Sequence, residues 1–123
     1  MGLDMYAYIT PNRPEKPVDF KHDEQSRQLF YWRKHPDLHG WMGELYLAKG
    51  GKAENGFNCE TVTLTLDDLD ALEKAVRERA LPHTEGFFFG ESDPSDFERD
   101  LEFIAVAREA IQDGYHVFYD SWW

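Results

Sequence analysis

Residues 31 to 42, YWRKHPDLHGWM, place two tryptophans, Arg33, Lys34 and two histidines within twelve positions of a chain that is otherwise strongly acidic. His35 and His39 stand four apart, a spacing that sets two imidazoles on one face of a helix as in many metal sites. Pro36 weakens that geometry, no Glu follows His35 as a zinc protease would require, and a third ligand would have to come from Asp4, Cys59, His83 or His116. Local hydrogen bonding by the two histidines is the better reading, and neither a metal nor another cofactor is expected. Trp32, Arg33 and Lys34 offer an aromatic and basic surface for a phosphate, a carboxylate or an acidic partner. The competing and preferred reading packs Trp32 and Trp41 into the core and pairs Arg33 with one of the many carboxylates.

Other motifs narrow the chemistry further. Residues 91 to 102, ESDPSDFERDLE, carry Glu91, Asp93, Asp96, Glu98, Asp100 and Glu102 against the single cation Arg99. Their spacing is not that of an EF-hand loop, so they read as the solvated, acidic start of a helix. The GFFFG run lacks the spacing and the Lys-Ser/Thr pair of a phosphate loop and reads as core. G-x-S-x-G and H-E-x-x-H are both absent, so enzymatic activity finds no support in a motif. Cys59 is the only cysteine, which excludes an internal disulfide and a multi-cysteine zinc site, and a buried, inert thiol is expected.

With 24 acidic residues against 13 Lys and Arg, the formal net charge is −11. Such a field repels phosphate backbones and disfavours direct nucleic-acid binding. The same field suits mimicry of nucleic acid in a basic groove of another protein, although acidic solubility is the commoner reason for it. At 123 residues, with 41% hydrophobic and 15% aromatic residues, the chain suits one globular domain spanning residues 1 to 123. It has no run near the ~20 apolar residues of a spanning helix and no basic-then-apolar leader, so a soluble, cytoplasmic protein without membrane association is expected.

The elements that would position these residues follow from periodicity. Leu3, Met5, Ala7 and Ile9 alternate with Asp4, Tyr6 and Tyr8, the period of a strand with one face on a core. The PNRPEKP stretch ends that strand, residues 23 to 32 suit a short helix, and residues 36 to 49 suit another, ended by Gly50 and Gly51. TVTLT is a short strand. Residues 66 to 80 form an amphipathic helix capped by Thr65 with Asp68 three residues on. Residues 94 to 113 form the next, with Gly114 as its stop, and residues 115 to 119 a last strand. Strands at both ends and in the middle predict an α+β domain with a small, at least partly antiparallel sheet over residues 3 to 9, 61 to 65 and 115 to 119, covered by helices. Trp122 and Trp123 are expected to dock between sheet and helix rather than fray.

Four stretches together carry a resemblance: MGLDMYAY at the start, YWRKHPDLHGWM, LPHTEGFFFG ahead of an acidic helix, and the terminal FYDSWW. The chain resembles, nearly end to end, a family of small phage, prophage and bacterial proteins that begin MGLDMYL, carry YWRK…H.W and LPT..GFFFG segments and end in an aromatic-Ser-Trp tail. It departs from that pattern at His83 and Trp122. Some members bear a phosphoglycerate kinase label, which a chain this short without a nucleotide motif does not support. The resemblance implies an accessory protein of mobile elements. The expected function is accordingly a non-enzymatic, acidic protein that binds another protein, with counter-defence inhibition or nucleic-acid mimicry as its specific form. The rival is a small-molecule-binding or metal-dependent enzyme built on a pocket around Asp4, Arg33, His35 and His39. Asp4, Tyr6, Trp32, Arg33, His35, His39 and Trp41 are the candidate binding residues, and Glu91, Asp93, Asp96, Glu98, Asp100 and Glu102 the candidate acidic face.

Overall fold

The alternation of Met5 and Ala7 with Asp4, Tyr6 and Tyr8 does form a strand, β1 (Asp4–Thr10), and it lies in the middle of the sheet. The structure, a computed structural model, describes residues 2–52, 56–86 and 89–123. Among these residues, β1 pairs antiparallel on one side with β2 (Arg27–Arg33) and on the other with β4 (His116–Trp122), and β3 (Val62–Leu64) pairs antiparallel with the far edge of β4. The order is β2-β1-β4-β3, so the first and last strands are central neighbours. Three helices, α1 (Pro36–Ala48), α2 (Leu66–Arg77) and α3 (Asp96–Gln112), complete the expected α+β domain.

One sheet face meets the helices. Met5, Ala7, Trp32, Val62, Leu64, Val117 and Tyr119 point into a single core with Leu38 and Met42 of α1, Leu69, Leu72 and Val76 of α2, and Phe103, Ile104 and Ala107 of α3. Trp32 meets Phe103 edge-on at 4.7 Å. Thr65 caps α2 in a reciprocal capping box with Asp68, as its sequence predicts, and Gly114, at φ 95°, takes the left-handed position just past α3. No helix among the described residues is long and apolar enough to cross a membrane.

Three expectations need correction. Residues 27 to 33 are a strand and not part of a helix, because Phe30 and Trp32 face the core while Tyr31 and Arg33 face away, a period of two fixed by pairing Ala7 with Phe30 and Met5 with Trp32. Their aromatic content also suits a pleated surface better than a short isolated helix. The last strand runs on to Trp122, so only Trp123 docks beneath the sheet, whereas Trp122 is 67% exposed on the other face. Cys59 is exposed, since its backbone N–H is held by the Ser121 carbonyl at 2.8 Å while its thiol turns outward. Of the GFFFG run, Phe89 is buried as expected, and Phe87 and Phe88 lie outside the described residues.

Candidate functional site

Period-two alternation places Asp4, Tyr6, Tyr8, Tyr31, Arg33, Phe118, Asp120 and Trp122 on the sheet face turned away from the helices. The excursion between β1 and β2 covers half of it. Val18 bridges to Val62, the Phe20 ring lies 5.1 Å from Phe118, and His22 sits 4.5 Å from Tyr8 and bonds Asp120 at 2.8 Å. The other half stays open. There Tyr6 stacks on Tyr8 at 5.9 Å and tilts against Tyr31 at 5.2 Å, and strand pairing sets Trp122 beside Asp4.

Carboxylates are interleaved with these rings. Tyr31 donates its hydroxyl hydrogen to Asp4 at 2.6 Å, and the Arg33 guanidinium lies 3.6 Å from the same carboxylate. The Asp4 bond raises the Tyr31 pKa, and partial burial together with Asp4 and Asp120 raises that of Tyr6. Both phenols therefore remain neutral hydrogen-bond donors over the physiological range. The arrangement is an aromatic shelf with acidic groups at its centre, able to hold a cation by ring faces and carboxylates together.

The rest of the YWRKHPDLHGWM segment lies on the other side of the sheet. Lys34 adopts a left-handed φ of 54° directly after β2, and its N–H bonds the Leu3 carbonyl at 2.8 Å. This turn carries the chain from the open face to the helix layer within one residue. His35 follows as the N-cap of α1, 3% exposed, without a side-chain bond to its own helix. Its Nε2 lies 2.8 Å from Asp100 and its Nδ1 2.7 Å from the hydroxyl of Ser92, with Asp96 at 3.5 Å. Asp100, 1% exposed, also accepts from the Trp32 indole at 3.1 Å. Burial pushes the Asp100 pKa up against the pull of His35 and Trp32. His39 is enclosed separately, its Nδ1 bonded to the Tyr119 hydroxyl at 2.8 Å and its ring walled by Phe57, Phe89 and Trp123. Burial lowers its pKa to about 4.

The candidate binding residues thus fall into separate places. Asp4, Tyr6 and Arg33 share the open face, whereas His35, His39 and Trp32 are buried beneath the sheet and the half-buried Trp41 packs against the core. Among the described residues, Asp4 and Arg33 lie on one side of the sheet and His35 and His39 on the other, so these four do not share a pocket. The acidic set divides likewise: Glu91, Asp93, Glu98 and Glu102 are exposed and Asp96 is half-buried, but Asp100 is inside and cannot belong to an acidic surface. Its placement follows from the helical period, since Asp100 shares the inward stripe with Phe103, Ile104 and Ala107. Tyr31, Asp120 and Trp122 were not singled out for the open face, although the alternation of Tyr6 and Tyr8 marks the strand they join. Ser92 carries no local signal at all. No protein-family model, curated protein or solved structure matches the chain.

Proposed function

We propose that the protein acts by binding a basic surface of another protein through the open half of its sheet, with Tyr6, Tyr31 and Trp122 as anchors and Asp4 as charge partner. The observation that carries this reading is the exposure of Trp122 on the sheet face that also bears Tyr6 and Tyr31. A 67% exposed indole paired across the strands with Asp4, on a face carrying two further phenol rings, has the residue types of a binding hot spot. The net charge of −11 adds a long-range field that draws in a basic partner and turns away nucleic acid itself. A groove that normally holds nucleic acid is one such basic surface, and the resemblance to proteins of mobile elements favours counter-defence inhibition as the biological form.

The test is affinity capture from a bacterial lysate with wild-type, Trp122→Ala and Tyr6→Ala baits over a salt series. A partner retained by the wild type, weakened at least tenfold by either substitution and released as salt rises supports the reading. Partners held equally by all three baits, or insensitive to salt, overturn it.

A further inference from the structure

Beneath the sheet, on the opposite side from that shelf, three side chains far apart in sequence make a continuous hydrogen-bonded chain. We propose that Ser92, His35 and Asp100 form a nucleophilic acyl-transfer site that accepts a small ester of neutral or cationic character, an activity beyond partner binding and independent of it. With Asp100 ionised and the imidazole neutral, the polarity of the chain has one consistent assignment. The Asp37 N–H donates to the Ser92 oxygen at 3.1 Å, which leaves the Ser92 hydroxyl hydrogen for His35 Nδ1 at 2.7 Å. His35 then carries its proton on Nε2 and donates to Asp100 Oδ2 at 2.8 Å, while the Trp32 indole N–H occupies Oδ1. Nucleophile, base and orienting carboxylate stand in the order that activates a serine, with the two ring nitrogens exchanged relative to the familiar triad.

The surroundings suit the chemistry. Ser92 is half-buried and borders two cavities, one of about 470 Å³ between the start of α1 and residues 83 to 86 and 90 to 92, the other of about 160 Å³ between α2 and α3. The larger has the size of a small-ligand pocket. Its lining includes Asp37, Glu85 and Glu91, which repel anionic substrates, hence the neutral or cationic class. The 13-residue helix α1 turns its positive N-terminal end toward Ser92, with the Asp37 N–H 3.1 Å from Ser92 Oγ, so negative charge developing beside that oxygen is favoured. Asp96, 3.5 Å from His35 Nδ1, joins Asp100 in stabilising the imidazolium formed in the reaction.

In the first half-reaction Ser92 Oγ bonds to the carbonyl carbon and its proton passes to His35 Nδ1. The bond to the leaving alcohol then breaks, and His35 returns that proton to the departing oxygen. Water attacks the resulting acyl-Ser92, giving a proton to His35, and Ser92 leaves with it, so that one ester and one water yield one acid and one alcohol. The competing role is purely structural: Ser92 supplies the cap that the His35 side chain does not give to α1.

A neutral alkyl fluorophosphonate, followed by intact-mass and peptide mass spectrometry, separates the two roles. The proposal expects one adduct per chain, on Ser92, formed at least a hundredfold faster than on the exposed Ser95, and none in Ser92→Ala. Asp100→Asn preserves shape while donating to His35 Nε2, which forces the imidazole proton onto Nδ1 and removes the base. Labelling should fall by about 10³–10⁴-fold with the circular dichroism spectrum unchanged. Absence of an adduct on folded wild-type protein, Ser92 labelling no faster than Ser95, or full-rate labelling of a folded Asp100→Asn variant would each overturn the proposal.

Discussion

His39 shows how much one residue's surroundings decide. Its ring is almost fully enclosed, and the Tyr119 hydroxyl is placed to donate to its Nδ1, so the neutral form is the one the folded protein holds. Burial lowers its pKa from 6.5 to about 4. Well above pH 6.5 both folded and unfolded chains carry a neutral imidazole there, and His39 contributes no pH dependence to stability. As the pH falls below 6.5 the unfolded chain takes up a proton that the folded one refuses, so stability is lost progressively down to about pH 4. The full loss is on the order of 3 kcal/mol. Urea denaturation at pH 7 and at pH 4.5 should therefore give a smaller difference for His39→Asn than for wild type, even though the substitution lowers stability at both. Equal differences would mean that the ring titrates normally in the fold. Little of this was legible beforehand. The spacing of His35 and His39 suggested a shared helix face, but His35 is the residue before the helix, and the partners that define it, Ser92 and Asp100, lie 57 and 65 positions away. Local periodicity carries no information over such separations, and only the packing of α3 against the end of β2 supplies it.

At the level of elements, the clearest signals were those in which period, cap and stop agreed. α2 has an apolar stripe, the Thr65 and Asp68 box and acidic residues in its first turn, and it forms where these place it. β2 was misread because its run of Leu29, Phe30, Tyr31 and Trp32 is apolar throughout, and an apolar run identifies a strand only once its pairing partner is known. α1 carries Gly40 and Gly43, which argue against a helix by propensity, yet Gly40 has a packing reason. A Cβ on Gly40 would sit 1.9 Å from the Thr84 hydroxyl, whereas one on Gly43 would meet the Phe57 ring at an ordinary contact of 3.5 Å. Gly40→Ala should thus cost about 1–3 kcal/mol despite a gain in helix propensity, measured as a fall in the urea midpoint. A more stable variant would show that the Thr84 segment yields freely.

The last strand divides its final two residues between the core and the solvent, and the proposed function gives the solvent-facing one to recognition. Trp123 packs 4.8 Å from His39 and 5.0 Å from Phe89, and its backbone N–H and carbonyl both bond the Asn58 side chain. Trp122 points from the opposite face into solvent. Trp123→Ala should cost about 2 kcal/mol, below the ~3–5 kcal/mol of a fully buried tryptophan because the ring is only half enclosed, and lower the melting temperature by roughly 6–10 °C. Trp122→Ala should leave melting within about 2 °C of wild type, as surface substitutions do, while weakening the partner. The reverse pattern would reassign the two residues.

Charge acts on the whole molecule and separates folding from association. Lys49 pairs with Asp68, and Arg108 with Asp70 and Glu73, yet 24 acids against 13 Lys and Arg leave a net charge of −11 on a small molecule. Exposed ion pairs contribute little on balance, so mutual repulsion among the excess acids dominates the electrostatics of folding. Raising ionic strength from about 0.01 M to about 0.15 M shortens the screening length from ~30 Å to ~8 Å and relieves that repulsion. The buried His35–Asp100 contact is shielded from the salt by the core around it. The melting temperature of the isolated protein should therefore rise by a few degrees over this range, while association with a basic partner weakens. Opposite salt responses are what the proposed binding of a basic partner by an acidic fold requires, because one field opposes compaction and assists encounter. A melting temperature that falls with salt would mean that attractive pairs outweigh the repulsion among the excess acids.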